Sequence, residues 1–171
     1  GSVLAGAVNV VDSTSIGTDY TMPVGQNVTT NSLFEYTSVH IIATQDSTSI
    51  TIDKNGDGTT DLSFTLNEGD TYVVDGGMLA GGKVSAGDVG SRYESRWFGL
   101  TPDGDWSNSY YAPVSTVSAG HPSHVFLYNP SSSSITVTYD TATQTGLTVT
   151  VGAKSTVGVQ IPSSAAHFYT T

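Results

Sequence analysis

Laid over itself at an offset of 85 residues, without a gap, the chain matches SVHIIATQDSTSITIDKNGDGTTDLSFTLNEGDTYVV to SHVFLYNPSSSSITVTYDTATQTGLTVTVGAKSTVGV. Ser49, Ile50, Thr51, Leu62, Thr65, Thr71 and Val74 fall on Ser134, Ile135, Thr136, Leu147, Thr150, Thr156 and Val159. Upstream the register moves to 90, pairing Val8 with Phe98, Ile16 with Trp106, Tyr20 with Tyr110, Pro23 with Pro113 and Val24 with Val114. A five-residue loop difference accounts for the change. Self-similarity over so long a register marks a duplicated supersecondary unit. The expected organisation is a first unit over residues 1–90 and a second over 91–171, with a seam near 75–92. Although the seam DGGMLAGGKVSAGDVGS is rich in glycine, its interior MLAGGKVSAG aligns with the terminal SSAAHFYTT. It therefore reads as the last strand of the first unit, and the pseudo-symmetric halves are expected to pack as one rigid body.

Within each repeat the apolar residues alternate, as in SITID, DLSFTL, HVFLY, SITVTY and LTVTV. Period two is the signature of half-buried strands, and no 11-residue window carries the i, i+3, i+4, i+7 spacing of an amphipathic helix. With 23 Ser, 25 Thr and 19 Gly, the strands are separated by Gly, Asn, Asp and Ser turns. The predicted fold is all-β, a duplicated antiparallel β-sandwich of jelly-roll-like units. The 171 residues are 37% hydrophobic, enough for a core, and the absence of cysteine removes disulfides, thiolate metal sites and a Cys nucleophile. A net charge of −10 opposes nucleic acid and anionic membrane surfaces and leaves cations and neutral ligands as partners. Membrane insertion is not expected, because no apolar run approaches the roughly 20 residues a spanning helix needs. The opening Gly-Ser pair reads as a cloning remnant, and the chain is expected to be a module of a longer protein.

The two copies disagree at one hairpin, where DKNGDGTTD in the first stands against TYDTATQTG in the second. Closing a hairpin requires Gly or Asn at positive φ, not a cluster of carboxylates. The spacing Asp-x-Asn-x-Asp-Gly-x-x-Asp matches positions 1, 3, 5, 6 and 9 of a calcium loop. Asp53, Asn55, Asp57 and Asp61 would offer side-chain oxygens and Thr59 its carbonyl to Ca²⁺. Position 12 is Phe64 rather than a bidentate Glu, so a further ligand would be water or Asp46, and affinity is expected at about 10⁻⁴ to 10⁻³ M. A second ion could use Asp103 and Asp105 in PDGD.

Residues 87–114 hold both Arg, both Trp and three of the nine Tyr. Read as one strand, alternation puts Arg92, Glu94 and Arg96 on one face and Tyr93, Ser95 and Trp97 on the other. That is an ion-pair ladder over aromatics, or else a carbohydrate platform of Arg92, Glu94, Arg96, Trp97, Trp106, Tyr110 and Tyr111. This block, followed by HVFLYNPSSSSITVTYD, resembles the bacterial and archaeal members of the IgGFc-binding-protein N-terminal-like domain. The resemblance is carried by Tyr93, Glu94, Arg96, Trp97, Tyr111, Pro113 and Val114. It implies an extracellular module of a large surface protein, in contact with neighbouring domains and with a glycan or a host or cell-surface protein, and without catalytic apparatus.

Catalysis is not expected from the sequence. His121 and His124 in HPSH flank a turn proline without a third ligand, no Gly-x-Ser-x-Gly elbow is present, and only Glu35, Glu68 and Glu94 stand beside the loop aspartates. The reading is a non-catalytic, calcium-stabilised extracellular or cell-surface β-sandwich module with structural or adhesive work. The alternative is a carbohydrate-binding module built on the aromatic and Arg block.

Overall fold

The alternating runs form fourteen strands and no α-helix among the residues that the computed structural model describes, which are 16–28, 34–85, 88–93, 96–113, 123–161 and 164–171. The chain is all-β, its sheets antiparallel and packed in sandwich fashion, and it divides into two compact units, Gly1–Trp106 and Ser107–Thr171.

The first unit contains β1 (Asp19–Thr21), β2 (Thr37–Ile42), β3 (Thr48–Asp53), β4 (Leu62–Leu66), β5 (Thr71–Val74), β6 (Lys83–Ser85), β7 (Asp88–Tyr93) and β8 (Arg96–Gly99), followed by a 3-10 turn at Asp103–Asp105. They form two four-stranded sheets, ordered β1-β6-β3-β4 and β5-β2-β7-β8. Alternation does the sorting. In β3, Ile50 and Ile52 are fully buried while Ser49 is exposed; in β2, Val39 and Ile41 are buried and Ile42 is exposed. Tyr20, Met22, Val74, Met78 and Val84 complete the core, each large apolar side chain contributing about 1.5–3 kcal/mol by leaving water.

The second unit contains β9 (Ser109–Ala112), β10 (Ser123–Tyr128), β11 (Ile135–Thr141), β12 (Leu147–Val151), β13 (Thr156–Ile161) and β14 (Ala166–Tyr169). The sheet β12-β11-β14-β9 supplies Val137, Val151, Ala166 and Phe168 to the core, and the pair β10-β13 supplies Val159 and Ile161. Val125, Leu127, Tyr139 and Val149 pack against them. At the β10 end, buried Asn129 donates from Nδ2 to the carbonyls of Ser133 at 2.8 Å, Val151 at 3.1 Å and Gly152 at 2.9 Å. Its Oδ1 accepts from Ser131 N at 2.9 Å and Ser131 Oγ at 2.7 Å, so one amide closes the 129–133 bend on β12.

The units share a strand order. The sheet β1-β6-β3-β4 has its counterpart in β9-β14-β11-β12, and the pair β5-β2 in β13-β10. Register makes the match closer: the cross-sheet row Leu62, Ile52, Val84, Tyr20 corresponds to Leu147, Tyr139, Phe168, Tyr110. Tyr20 accepts at its hydroxyl from Gly17 N at 2.8 Å, and Tyr110 from Ser107 N at 2.7 Å, the same three-residue loop closed by the same atom. The first unit runs through Trp106: β7 pairs with β2 and β8 pairs with β7, completing its second sheet.

Ile52 stands at the middle of its row. Ile52→Ala should cost about 2–5 kcal/mol by urea unfolding, whereas Ser49→Ala on the solvent side should stay within about 0.5 kcal/mol. Equal losses would mean that β3 buries the other face.

Candidate functional site

The β3–β4 hairpin leaves nine residues between the last cross-strand pair, Ile52 and Leu62; in the second unit seven separate Tyr139 from Leu147. The strand β11 runs two residues further before turning. Asp140 thereby occupies the place of Asp53, immediately after the equivalent row, so a loop-opening aspartate is common to both hairpins. Asp140 accepts from Gly146 N at 2.7 Å, and Thr141 Oγ1 helps to close the turn by accepting from Gln144 N at 3.0 Å and Thr143 N at 3.3 Å. What belongs to the first hairpin alone is the rest of the set: Asn55, Asp57 and Asp61.

Their oxygens face the loop's own backbone. Asp53 Oδ1 accepts from Asn55 N at 3.2 Å and Gly56 N at 2.7 Å, and its Oδ2 from Gly58 N at 2.7 Å. Asn55 Oδ1 accepts from Asp57 N at 3.0 Å; Asp57 Oδ1 accepts from Thr59 N at 2.7 Å and its Oδ2 from Asn55 Nδ2 at 2.9 Å. Asp61 Oδ2 accepts from Lys54 N at 2.7 Å. This is a chain of Asx turns, each short polar side chain imitating a backbone carbonyl. Among the described residues no three His, Asp or Glu side chains converge as a metal-holding group. Each carboxylate still has about four lone-pair sites, more than these bonds consume, so the donor chemistry suits a hard cation.

The loop is also pinned from outside. Leu79 N donates to Lys54 O at 2.9 Å, and Gly56, at φ +74°, lies so close that a Cβ there would sit 2.3 Å from Gly81 O. Asp57 is held below the ordinary carboxylate range, first by the Thr59 N–H and then by the Asn55 amide and the Thr59 hydroxyl. Asp46 Oδ1 accepts from Glu68 N at 3.1 Å at the next turn. Asp103 Oδ2 accepts from Thr21 Oγ1 at 2.7 Å, fastening the 3-10 turn to β1.

The aromatic block is not one strand. β7 and β8 pair antiparallel, with Arg92 opposite Trp97 and Tyr93 opposite Arg96. The side chains of Arg92, Arg96 and Trp97 lie outside the described residues, and the expected Arg92, Glu94, Arg96 face lies there with them. Glu94 lies outside the described residues. Trp106 belongs to the first unit, half-buried and donating from Nε1 to Thr101 O at 3.0 Å, while Tyr110 and Tyr111 lie on β9 of the second. Tyr110 shares the row and the core-side face of Phe168, and Tyr111 takes the opposite face.

That opposite face holds a constellation the sequence reading missed. Tyr111, His167 and Asp140 form one row; Ser109, Tyr169 and Thr138 form the next row on the same side. The Tyr111 and His167 rings stack at 4.2 Å and 5°, and the Tyr169 ring lies 5.0 Å from His167. Ser109 Oγ and His167 Nε2 are hydrogen-bonded at 2.8 Å. Tyr169 donates to Asp140 Oδ2 at 3.4 Å, and burial, then the charge of Asp140, raise its hydroxyl above the ordinary tyrosine value. These residues are 26 or more positions apart between strands, and no local motif announces them. His124, on β10, packs by Phe126, and His121 lies outside the described residues.

No protein-family model, curated protein or solved structure matches the chain. The likeness to the IgGFc-binding-protein N-terminal-like domain rests on its quoted residues alone.

Asp57 gives a test of the loop geometry. Its folded value is depressed, so its contribution to loop order is complete above the ordinary value of 3.8 and is lost as pH falls through the lowered one. The Thr59 amide shift, followed by NMR through an acid titration, should have its midpoint below 3.8. A midpoint at or above that value would remove the Asp57–Thr59 bond. Gly56→Ala should destabilise the first unit by about 1–3 kcal/mol in thermal unfolding, through positive φ and the clash with Gly81.

Proposed function

We propose that the chain is a non-catalytic, calcium-stabilised extracellular β-sandwich module of a larger cell-surface protein, doing structural or adhesive work beside neighbouring domains. One observation carries the reading. The second hairpin closes with a single carboxylate, Asp140, and the Thr141 hydroxyl, whereas the first adds Asn55, Asp57 and Asp61 at calcium-loop spacing, an excess of acidic and amide oxygen beyond what such a turn needs. Gathering these carboxylates in an acidic chain is unfavourable unless a cation neutralises them. Asp53, Asn55, Asp57 and Asp61 would hold Ca²⁺ through side-chain oxygens and Thr59 through its carbonyl, and the ion would supply charge neutralisation and stiffening of the hairpin.

The non-catalytic part has its own support. Ser109 and His167 have the separation of a nucleophile and its base, but Asp140, the carboxylate beside His167, is engaged by Gly146 N and the Tyr169 hydroxyl. A Ser-His pair acts as a triad only when a third group orients the imidazole. No helix among the described residues is long and apolar enough to cross a membrane.

At about 10 mM Ca²⁺ and a Kd of 10⁻⁴ to 10⁻³ M, linkage predicts about 1.4–2.7 kcal/mol of added stability. Calorimetry should show Tm rising by several degrees with Ca²⁺, no comparable rise with Mg²⁺, and loss of the response in Asp57→Ala and Asp61→Ala. A Tm indifferent to Ca²⁺ and EDTA would reduce the loop to a chain of Asx turns.

A further inference from the structure

We infer that the outer face of the second unit's four-stranded sheet is a binding platform for a neutral glycan, with Tyr111 as its stacking residue. The inference is independent of the calcium reading, since the platform lies in the second unit and the acidic loop in the first. The comparison of equivalent positions motivates it. In the first unit the place of Tyr111 is taken by Thr21, which is 4% exposed and bonded to Asp103. In the second it carries a tyrosine 77% exposed, the most exposed of the large apolar side chains among the described residues. Strand pairing alone needs no aromatic at this point, as Thr21 demonstrates.

The surroundings specify the ligand chemistry. His167 stacks on one face of Tyr111, and β9 is the edge strand of its sheet, so the pair lies at the rim of the outer face. A pyranose presents a face of C–H bonds that packs on an aromatic face, and its rim of hydroxyls needs donors and acceptors nearby. Ser109, His167, Asp140 and the Tyr169 hydroxyl supply both kinds within two adjacent rows. The chain's charge of −10 and the carboxylate of Asp140 disfavour sulfated or uronic polymers, which leaves neutral hexose and N-acetylhexosamine chains. An open sheet face several strands wide suits an extended chain better than a single sugar.

The test is titration of the whole chain with cellohexaose, chitohexaose, mannohexaose and xylohexaose, by calorimetry and by NMR of the Tyr111 and His167 side chains. At least one oligosaccharide should bind, in EDTA as well as in calcium, with shifts centred on those two rings. Tyr111→Thr, which copies the first unit, should weaken binding about tenfold or more while leaving Tm in place, His167→Ala should weaken it less, and Trp106→Ala should leave it within about twofold. The inference is overturned if none of the four binds at millimolar concentration, if Tyr111→Thr binds as the parent does, or if Tyr111 instead mediates concentration-dependent self-association in sedimentation.

Discussion

A slip of one residue between β3 and β4 would carry Ile50 and Ile52 to solvent and drive Ser49 and Thr51 into the core. That penalty fixes the register of the first unit's principal sheet, and the register fixes everything placed at its ends. With Ile52 held opposite Leu62 and Val84, Asp53 must begin the loop and Lys83 must lie across from it. With Tyr139 held opposite Leu147 and Phe168, Asp140 must fall beside His167. Both hairpins inherit an aspartate at the same point, and what each does with it differs.

In the first unit the loop turns inward upon its own amides, six of its N–H groups being taken by side-chain oxygens of Asp53, Asn55, Asp57 and Asp61. Such a loop is ordered by its own side chains, which take the place of cross-strand carbonyls. In the second unit the aspartate serves one amide and one tyrosine, and the face around it is given over to rings. The two units keep one arrangement at this point: Tyr20 and Tyr110 close the same short loop with the same hydroxyl while the residues after them differ.

Much of the fold was legible in the sequence because period two is a local property. SITID, LTVTV and HVFLY are strands wherever they are put, and the 85-residue register anticipated that β4 and β12 would occupy like positions. The loop composition was legible for a related reason, since Asx turns are made by residues two to five apart. Other features gave no such signal. Asn129 looks like any turn residue, yet it holds the carbonyl of Ser133 in its own bend and those of Val151 and Gly152, 22 and 23 positions away. That Asp88–Tyr93 and Arg96–Gly99 are two paired strands, with Arg92 opposite Trp97, is invisible in an uninterrupted run of strand formers.

The sequence by itself determined that the chain is all-β, that it carries two related patterns, and that one hairpin concentrates acidic oxygen, because each follows from side-chain periodicity or short-range spacing. Only the tertiary structure decided that Asp140 answers to Asp53, that β7 and β8 complete the first unit, and that Ser109, Tyr111, Asp140, His167 and Tyr169 share one face. Those relations depend on hydrogen-bond register between strands far apart in the chain, and a two-residue difference in a hairpin is enough to reassign every neighbour across it.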